Sequence, residues 1–162
     1  AVNGDAFGGG FNLAQSCDLC VAADTARFAI PEAKWGRGMD WAALLPRTVP
    51  ARVAMELMLT ARPIDAARAE RVGLVNAVVS RRELLPATIE LASAIAANAE
   101  RSVRAAKALV WRSIAAADDE LTKDATTLFR DVYRSRQALE GPRRFASERS
   151  KQHDEPDGGS GG

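Results

Sequence analysis

Residues 1–18 read AVNGDAFGGGFNLAQSCD. In this stretch an apolar segment precedes the triplet Gly8-Gly9-Gly10, and a short run with helical spacing follows at residues 11–16. Glycines at the start of a helix leave backbone N–H groups free to bind an anion or an oxyanion, with the positive end of the helix dipole behind them. A tight strand-to-helix turn with close packing explains the same glycines without a ligand. Both interpretations stay open at this point.

Two glycine-rich phosphate-binding motifs do not fit this stretch. The dinucleotide fingerprint G-x-G-x-x-G, begun at Gly8, requires glycine where Leu13 stands. A P-loop begun at Gly4 requires lysine where Gly10 stands. Neither nucleotide-binding motif is therefore present.

Length and charge limit the classes of function. The chain has 162 residues and a formal net charge of +1. This length suits one globular domain with a core, and the near-neutral charge argues against a general nucleic-acid-binding protein. No uncharged apolar run is long enough to span a membrane, and we recognise no leader peptide. We therefore predict a cytoplasmic protein without nucleic-acid or membrane partners.

Two regions and a tail are predicted along the chain. Residues 1–80 alternate short apolar runs with turns, which predicts a mixed α/β core, whereas residues 81–150 show helical periodicity. Residues 151–162 end in glycine and serine and are predicted to be a flexible tail or linker.

Turn and capping residues predict the individual elements. Strands are expected at residues 19–23, 28–30 and 74–79, and helices at residues 11–16, 53–60, 66–71, 81–97, 101–116 and 142–149. Pro50 suits the start of the helix at 53–60, and Asp65 caps the next one. Ser80 and Glu83 form a capping box. Asp118 is expected to cap a further helix whose inward-facing residues are Leu121, Leu128, Val132 and Leu139.

Cysteine and histidine are too scarce for several kinds of site. Cys17 and Cys20 form the only C-x-x-C pair, and His153 is the only histidine. Two thiols and one remote imidazole cannot complete a zinc site without carboxylates, and a redox pair needs exposed sulfur of low pKa. We therefore predict buried cysteines, no metal site, and neither Ser-His-Asp nor Cys-His catalysis.

Further motifs resemble those of the crotonase family, the enoyl-CoA hydratases and isomerases. Besides residues 1–18, the resemblance is carried by AADTARFAIPEAKWG at 22–36, by residues 59–76 and by EGPRRFA at 140–146. It extends from Ala1 to about Arg149. It implies an α/β fold, a crotonase-like spiral of ββα turns without its N-terminal part, followed by a helical trimerisation region. It also implies a homo-oligomer, a trimer or hexamer.

The resemblance implies an acyl-CoA thioester as substrate and no cofactor other than the coenzyme A that the substrate carries. Two backbone N–H groups of the family stabilise the enolate oxygen in an oxyanion hole, and Gly9, beside Gly8, matches one of them. The other lies in a loop of the family's N-terminal portion, before the position of Ala1. We therefore expect a segment before Ala1 in the working protein, and little activity from this chain alone.

The acid/base residues that the resemblance to the crotonase family implies are only partly present in this chain. Glu32 matches one of the two glutamates of the hydratases and is expected to transfer the proton. The other position is Asn12, whose amide contacts the substrate without exchanging a proton near neutral pH. With Glu32 as the single glutamate, the resemblance implies double-bond isomerisation or hydration of activated substrates. The alternative is a non-catalytic acyl-CoA-binding or scaffold homologue.

Asp40 stands eight residues after Glu32, where dienoyl-CoA isomerases and an aromatic-CoA dehalogenase of the family carry a functional aspartate. Two close carboxylates would raise one pKa and so prepare an acid and a base. Alternatively, Asp40 caps a helix at residues 41–45. Trp35 and Trp41 are expected to line the acyl pocket, although packing alone explains them as well.

Basic residues are concentrated late in the chain. Residues 101–151 carry twelve basic and seven acidic side chains. Solvated helix faces explain this excess. If it serves a ligand instead, Arg143, Arg144 and Lys151 are candidates for contacts with the phosphates of coenzyme A.

Overall fold

Short strands and seven helices make up the described part of the chain, which in this computed structural model is residues 1–115, 130, 134 and 136–153. The strands are β1 (Asp5–Phe7), β2 (Val21–Ala23), β3 (Arg27–Ala29), β4 (Ile64–Asp65) and β5 (Ala77–Val79). The helices are α1 (Gly9–Gln15), α2 (Leu45–Thr48), α3 (Ala51–Thr60), α4 (Ala66–Arg71), α5 (Leu84–Ala96), α6 (Glu100–Ala115) and α7 (Arg136–His153). Two 3₁₀ helices span Pro31–Trp35 and Asp40–Ala42.

The described strands form two sheets. In one sheet β1 lies parallel to β3, with Ala6 opposite Phe28, and β3 lies antiparallel to β4. In the other, β2 lies parallel to β5, and Val2 forms a single bridge to Ala22 of β2. Because α1 and β2 stand between the parallel strands β1 and β3, the chain crosses over between them and winds through both sheets.

The core fixes the orientation of α1. Phe11 of α1 is 1% exposed and meets the ring of Phe28 of β3 edge-on, with 6.3 Å between ring centroids. Its ring also contacts that of Trp41 at 6.0 Å. Since these contacts anchor α1 near its beginning, the start of the helix is held at the end of β1.

Local capping signals predicted several boundaries correctly. Pro50 precedes α3, and the Asp65 carboxylate accepts a 2.7 Å hydrogen bond from the Arg68 N–H at the start of α4. The Ser80 hydroxyl donates to the Glu83 carboxylate at 2.5 Å and accepts from the Glu83 N–H at 3.3 Å, but α5 begins only at Leu84 with Glu83 in the N-cap position and without a side-chain cap, so the predicted capping box does not start the helix.

The predicted strand at 74–79 is shorter in the structure, because its first residues are used by a turn. The Leu74 N–H donates to the carbonyl of Ala69 at 2.8 Å. The Asn76 side-chain oxygen accepts from the Cys20 N–H at 2.7 Å, and the Asn76 N–H donates to the Cys20 carbonyl at the same length. These contacts leave only Ala77–Val79 to pair with β2.

The last helix differs from its prediction. It begins at Arg136, contains Pro142 and continues to His153, so it includes the first residues of the segment predicted as a tail. Leu139 is 70% exposed rather than inward-facing, because α7 turns Ala138 and Gly141 inward instead. The predicted cap Asp118 and the positions Leu121, Leu128 and Val132 lie outside the described residues, as do residues 154–162.

The prediction of buried cysteines is right for one of the two cysteines. Cys20 is buried, but Cys17 is exposed because it follows the end of α1, where its thiol donates to the Leu13 carbonyl at 3.4 Å. Within the described ranges no three His, Cys, Asp or Glu side chains are grouped to hold a metal ion. No helix in the same part of the chain combines the length and apolar character needed to cross a membrane.

Candidate active site

Glu32 is held on a short, well-defined turn. It is the second residue of the 3₁₀ helix that directly follows β3 and begins with Pro31, whose fixed φ angle suits that position. Gly36 ends this helix with a left-handed φ of 63°. The Arg37 N–H then donates to the Glu32 carbonyl at 2.9 Å, which closes the turn. The backbone beneath the Glu32 carboxyl is therefore fixed on both sides.

Gly8 lies directly against this carboxyl. Its φ of 52° is one that side-chain-bearing residues rarely adopt, and a Cβ placed on it would lie 3.0 Å from Glu32 Oε1. The Gly8 N–H donates to the Ala29 carbonyl of β3 at 3.1 Å. Gly9 follows as the first residue of α1, and the first amides of a helix have no acceptor within it. The structure thus places Gly8 against the Glu32 carboxyl, with Gly9 next to it at the start of α1, and the role of the Gly9 N–H in an oxyanion hole stays a prediction.

A cavity of about 360 Å³ opens at the Glu32 carboxyl. Its lining residues are Pro31, Glu32, Trp35, Arg37, Gly38, Trp41, Pro142 and Phe145. Trp35 and Phe145 meet edge-on with 5.3 Å between ring centroids, so α7 supplies one wall. Trp35 and Trp41 line this cavity, and its walls are mainly apolar, as is usual for small-molecule sites, while its use as the acyl pocket stays a prediction.

Burial raises the pKa of the Glu32 carboxyl above its ordinary value. The backbone N–H of Glu32, the indole of Trp41 and the charge of Arg37 act in the opposite direction but only partly offset burial. Glu32 Oε2 is buried and has no hydrogen-bond partner among the described residues. A half-buried carboxyl with a raised pKa and an unused oxygen is suited to accept and return a proton.

Asn12 lies beside a different cavity. That cavity has a volume of about 280 Å³ and is lined by Asn12, Gln15, Ser16, Trp41, Leu44, Arg47, Thr48 and Trp111. The Asn12 side-chain oxygen is at 3.4 Å from both Gln15 Nε2 and Ser16 Oγ. Trp41 lines both cavities, so it is a neighbour common to the surroundings of Asn12 and those of Glu32.

Asp40 is the first residue of its 3₁₀ helix, and Met39 takes the N-cap position. Asp40 is therefore a residue of this helix rather than its N-cap. Asp40 is also not among the residues that line the cavity at Glu32, and burial is the main cause of the raised Glu32 pKa. A catalytic role for Asp40 stays a prediction.

Three cavity residues were missed by the sequence analysis. Arg37 offered one signal, since it lies between Gly36 and Gly38 just after the Glu32 turn. Pro142 and Phe145 offered none by spacing, because they lie more than a hundred positions from Glu32. Of the residues predicted to contact coenzyme A phosphates, Arg143 and Arg144 are exposed on α7 between these two, and Lys151 lies near the end of α7.

Comparison with known proteins identifies the family. Residues 1–156 match the enoyl-CoA hydratase/isomerase family. The chain belongs to this family. A carnitinyl-CoA dehydratase of Citrobacter koseri is 38% identical over 155 residues, which are 92% of this chain and 59% of the relative. A probable enoyl-CoA hydratase of Mycobacterium leprae is 41% identical over 154 residues, covering 94% of this chain and 60% of the relative.

Solved structures of the enoyl-CoA hydratase/isomerase family share the fold. The crystal structure of a carnitinyl-CoA hydratase from Mycobacterium avium matches with a TM-score of 0.82 and 35% identity, over 90% of this chain and 58% of that one. The predicted crotonase-like α/β fold is therefore confirmed. The chain spans about three-fifths of the length of the curated relatives just described.

Proposed function

We propose that this member of the enoyl-CoA hydratase/isomerase family transforms an acyl-CoA thioester by proton transfer through Glu32. The observation that carries the proposal is the Glu32 carboxyl itself, which is half-buried at an aromatic-walled cavity and lies against Gly8 at the start of α1. Relatives with the same fold are named as hydratases and dehydratases of CoA esters.

In the proposed reaction the Gly9 N–H donates to the thioester oxygen. A donor at this position stabilises the negative charge that develops on the oxygen when a neighbouring carbon loses its proton. Glu32 accepts that proton and returns it to the substrate at a different carbon. Because Asn12 cannot exchange a proton, Glu32 working alone suits a double-bond shift, or hydration of an activated substrate, better than two-glutamate water addition.

Two further roles accompany this proposal. Asp40 remains the candidate for a second acid/base group, and it lies outside the lining of the cavity at Glu32. Arg143 and Arg144 are exposed on α7 beside the cavity residues Pro142 and Phe145, so phosphates of coenzyme A bound at the cavity mouth would lie near them. With Lys151 they are the proposed phosphate contacts. No cofactor is proposed beyond the coenzyme A of the substrate.

The decisive experiment is Glu32→Gln, which keeps the shape of the side chain and removes its proton transfer. Turnover of crotonyl-CoA and of a 3-enoyl-CoA is measured with full-length protein. We expect the rate to fall by about 10²–10⁴-fold. Glu90→Gln, an exposed position on α5, is the matched control and should leave turnover unchanged. Equal turnover by Glu32→Gln and the unmodified protein would contradict the catalytic role of Glu32.

Asn12 also favours a second candidate function, an acyl-CoA-binding or scaffold homologue without turnover. The two candidates give different results in one comparison. If the unmodified protein binds acyl-CoA by calorimetry and turns over neither substrate, the binding function is supported. If turnover is detected and lost in Glu32→Gln, the enzymatic function is supported.

We also propose that the protein forms a homo-oligomer, a trimer or a hexamer, through its helical region. Large apolar side chains are exposed on two helices of that region: Leu85 and Ile89 on α5, and Leu109 and Val110 on α6, each at least 56% exposed. Such side chains are commonly covered by another subunit.

A further inference from the structure

We propose that the cavity beside Glu32 selects acyl groups by charge, and that Arg37 causes it to accept neutral and anionic groups and to reject cationic ones. This inference rests on the proposed function, because it places the acyl group of the substrate in this cavity. It adds a specificity-determining residue and a substrate class to that function.

Only two ionisable side chains line the cavity among the described residues, Glu32 and Arg37. The guanidinium of Arg37 forms no ion pair with any residue that the structure describes. In the proposed reaction Glu32 loses its negative charge when it accepts the substrate proton, whereas an arginine stays charged at any ordinary pH. At the enolate stage the cavity lining is therefore net positive.

The aromatic walls could suggest the opposite selectivity, because rings of tryptophan and phenylalanine attract quaternary ammonium groups. Here the ring of Trp35 already has a cation on it, since Lys34 Nζ lies 4.6 Å from its centroid. Phe145 also contacts the Trp35 ring edge-on, so less of that aromatic surface is available to a ligand. A cationic acyl group in the cavity would thus meet the like charge of Arg37, and the Trp35 ring, which already contacts Lys34, offers it little compensation.

The expected size of the discrimination follows from Coulomb's law. Like charges about 6 Å apart near a protein surface repel strongly enough to change binding by up to about a hundredfold. Arg37 is exposed to solvent, and solvent screening reduces this value. We therefore expect about tenfold discrimination between ligands that differ only in charge.

The test uses three CoA esters of but-2-enoic acid that differ at the fourth carbon. The first carries a tert-butyl group, the second a trimethylammonium group of the same shape, and the third a carboxylate. With the unmodified protein, kcat/KM should be about tenfold higher for the tert-butyl ester than for the trimethylammonium ester, and the carboxylate ester should be used at least as well as the neutral one.

Arg37→Gln should reduce this preference to less than about threefold, and Arg37→Glu should reverse it in favour of the trimethylammonium ester. The matched control is Arg81→Gln, an exposed arginine outside the cavity, which should keep the tenfold preference. Equal or better use of the trimethylammonium ester by the unmodified protein would overturn the inference, as would a preference that Arg37→Gln leaves unchanged.

Binding of the saturated analogues of the same three esters is measured by calorimetry, which separates this inference from the proposed function. If turnover is absent but the neutral analogue binds more tightly than the cationic one in an Arg37-dependent way, the charge selectivity stands and the catalytic proposal fails. If none of the analogues binds, the cavity is not the acyl site and the inference is wrong.

Discussion

Gly8 is the residue on which the geometry of the site most depends. Its backbone has a φ of 52°, and its Cα lies so close to Glu32 that a Cβ would be 3.0 Å from the carboxyl. Glycine satisfies both conditions at once, because it tolerates this φ and has no side chain. The neighbouring Gly10 has neither constraint, since a Cβ placed on it would have no atom within 4 Å.

Gly8→Ala should therefore destabilise the protein and impair catalysis together. We expect a loss of about 1–3 kcal/mol in the free energy of unfolding from backbone strain. Because the new methyl group displaces the Glu32 carboxyl, kcat should fall by about tenfold or more. Urea unfolding and acyl-CoA turnover measure the two effects, and Gly10→Ala is the matched control. Retention of full activity by Gly8→Ala would show that the Glu32 position is not critical.

The raised pKa of Glu32 predicts a pH-dependent effect on stability. Burial makes the folded protein bind the Glu32 proton more tightly than the unfolded chain does. Stability is therefore lost as pH rises from the ordinary carboxyl range through the raised pKa, and the loss is complete above it. Glu32→Gln carries no charge at any pH and avoids this loss.

Glu32→Gln should accordingly raise the melting temperature near neutral pH. The carboxyl is only half-buried, so we expect a rise of about 1–3 °C. The difference between variant and unmodified protein should shrink as the solution is acidified below the raised pKa. Calorimetry across a pH series measures it, and a difference that grows on acidification would contradict the assigned burial effect.

Residues with local signals were predicted from the sequence, and residues placed by distant packing were not. The glycine triplet and the Pro31-Glu32 pair lie close together along the chain, and their motifs indicated the site directly. Phe145 enters the cavity only because α7 packs against the 3₁₀ helix at Pro31–Trp35. The distance between these segments along the chain does not predict that contact, which only the structure shows.

Among the elements, α7 makes a backbone contact that only glycine allows. Gly141 packs so closely against the backbone of Trp35 that a Cβ placed on it would overlap the Trp35 carbonyl oxygen. On the same helix, Pro142 and Phe145 form one wall of the cavity. Removing α7 from this position would open the cavity to solvent.

Gly141→Ala tests this contact, and its expected effect on stability is opposite in sign to the effect in an isolated helix. In an isolated helix the change to alanine stabilises by about 1 kcal/mol. Here we expect destabilisation of about 1–3 kcal/mol, because the methyl group forces α7 away from Trp35. Hydrogen exchange should show faster opening of α7 than in Glu148→Ala, an exposed control on the same helix. Slower exchange in Gly141→Ala would mean that helix propensity outweighs the contact.

The element boundaries illustrate the same limit on prediction. Asp65 forms its cap as predicted, because capping depends on residues a few positions apart, whereas Ser80 and Glu83 bond to each other in the turn before α5. The strand before Ser80 is shorter than predicted, since Asn76 bonds to Cys20, fifty-six positions away. Leu139 faces outward because Gly141, not the apolar pattern, decides which side of α7 meets the core.

At the scale of the whole molecule, α5 packs against β2 through the buried Leu84, whereas α6 and α7 meet earlier parts of the chain at the side chains described next. Asp18, just after α1, accepts from Lys107 Nζ at 2.5 Å and from the Trp111 indole at 2.9 Å, both on α6. The second contact is that of α7 with Trp35. Much of the apolar surface of α5 and α6 faces outward.

Leu85→Glu combined with Ile89→Glu should therefore reduce the oligomer to smaller species. Burying two carboxylates against apolar side chains of a neighbouring subunit is strongly unfavourable. Sedimentation velocity should show a trimer or hexamer for the unmodified protein and a shift towards monomer for the double variant. Glu90→Gln on the same helix is the control. An unchanged sedimentation coefficient would place the subunit interface elsewhere.

The three tryptophans of the chain have a practical consequence for experiments in solution. Trp35 touches α7, Trp41 borders both cavities, and Trp111 bonds to Asp18. Each indole thus stands at a contact that a ligand or a helix movement would alter. The intrinsic fluorescence of this protein is therefore a built-in optical reporter, in which Trp35 and Trp41 respond to occupation of the cavity and Trp111 responds to release of α6.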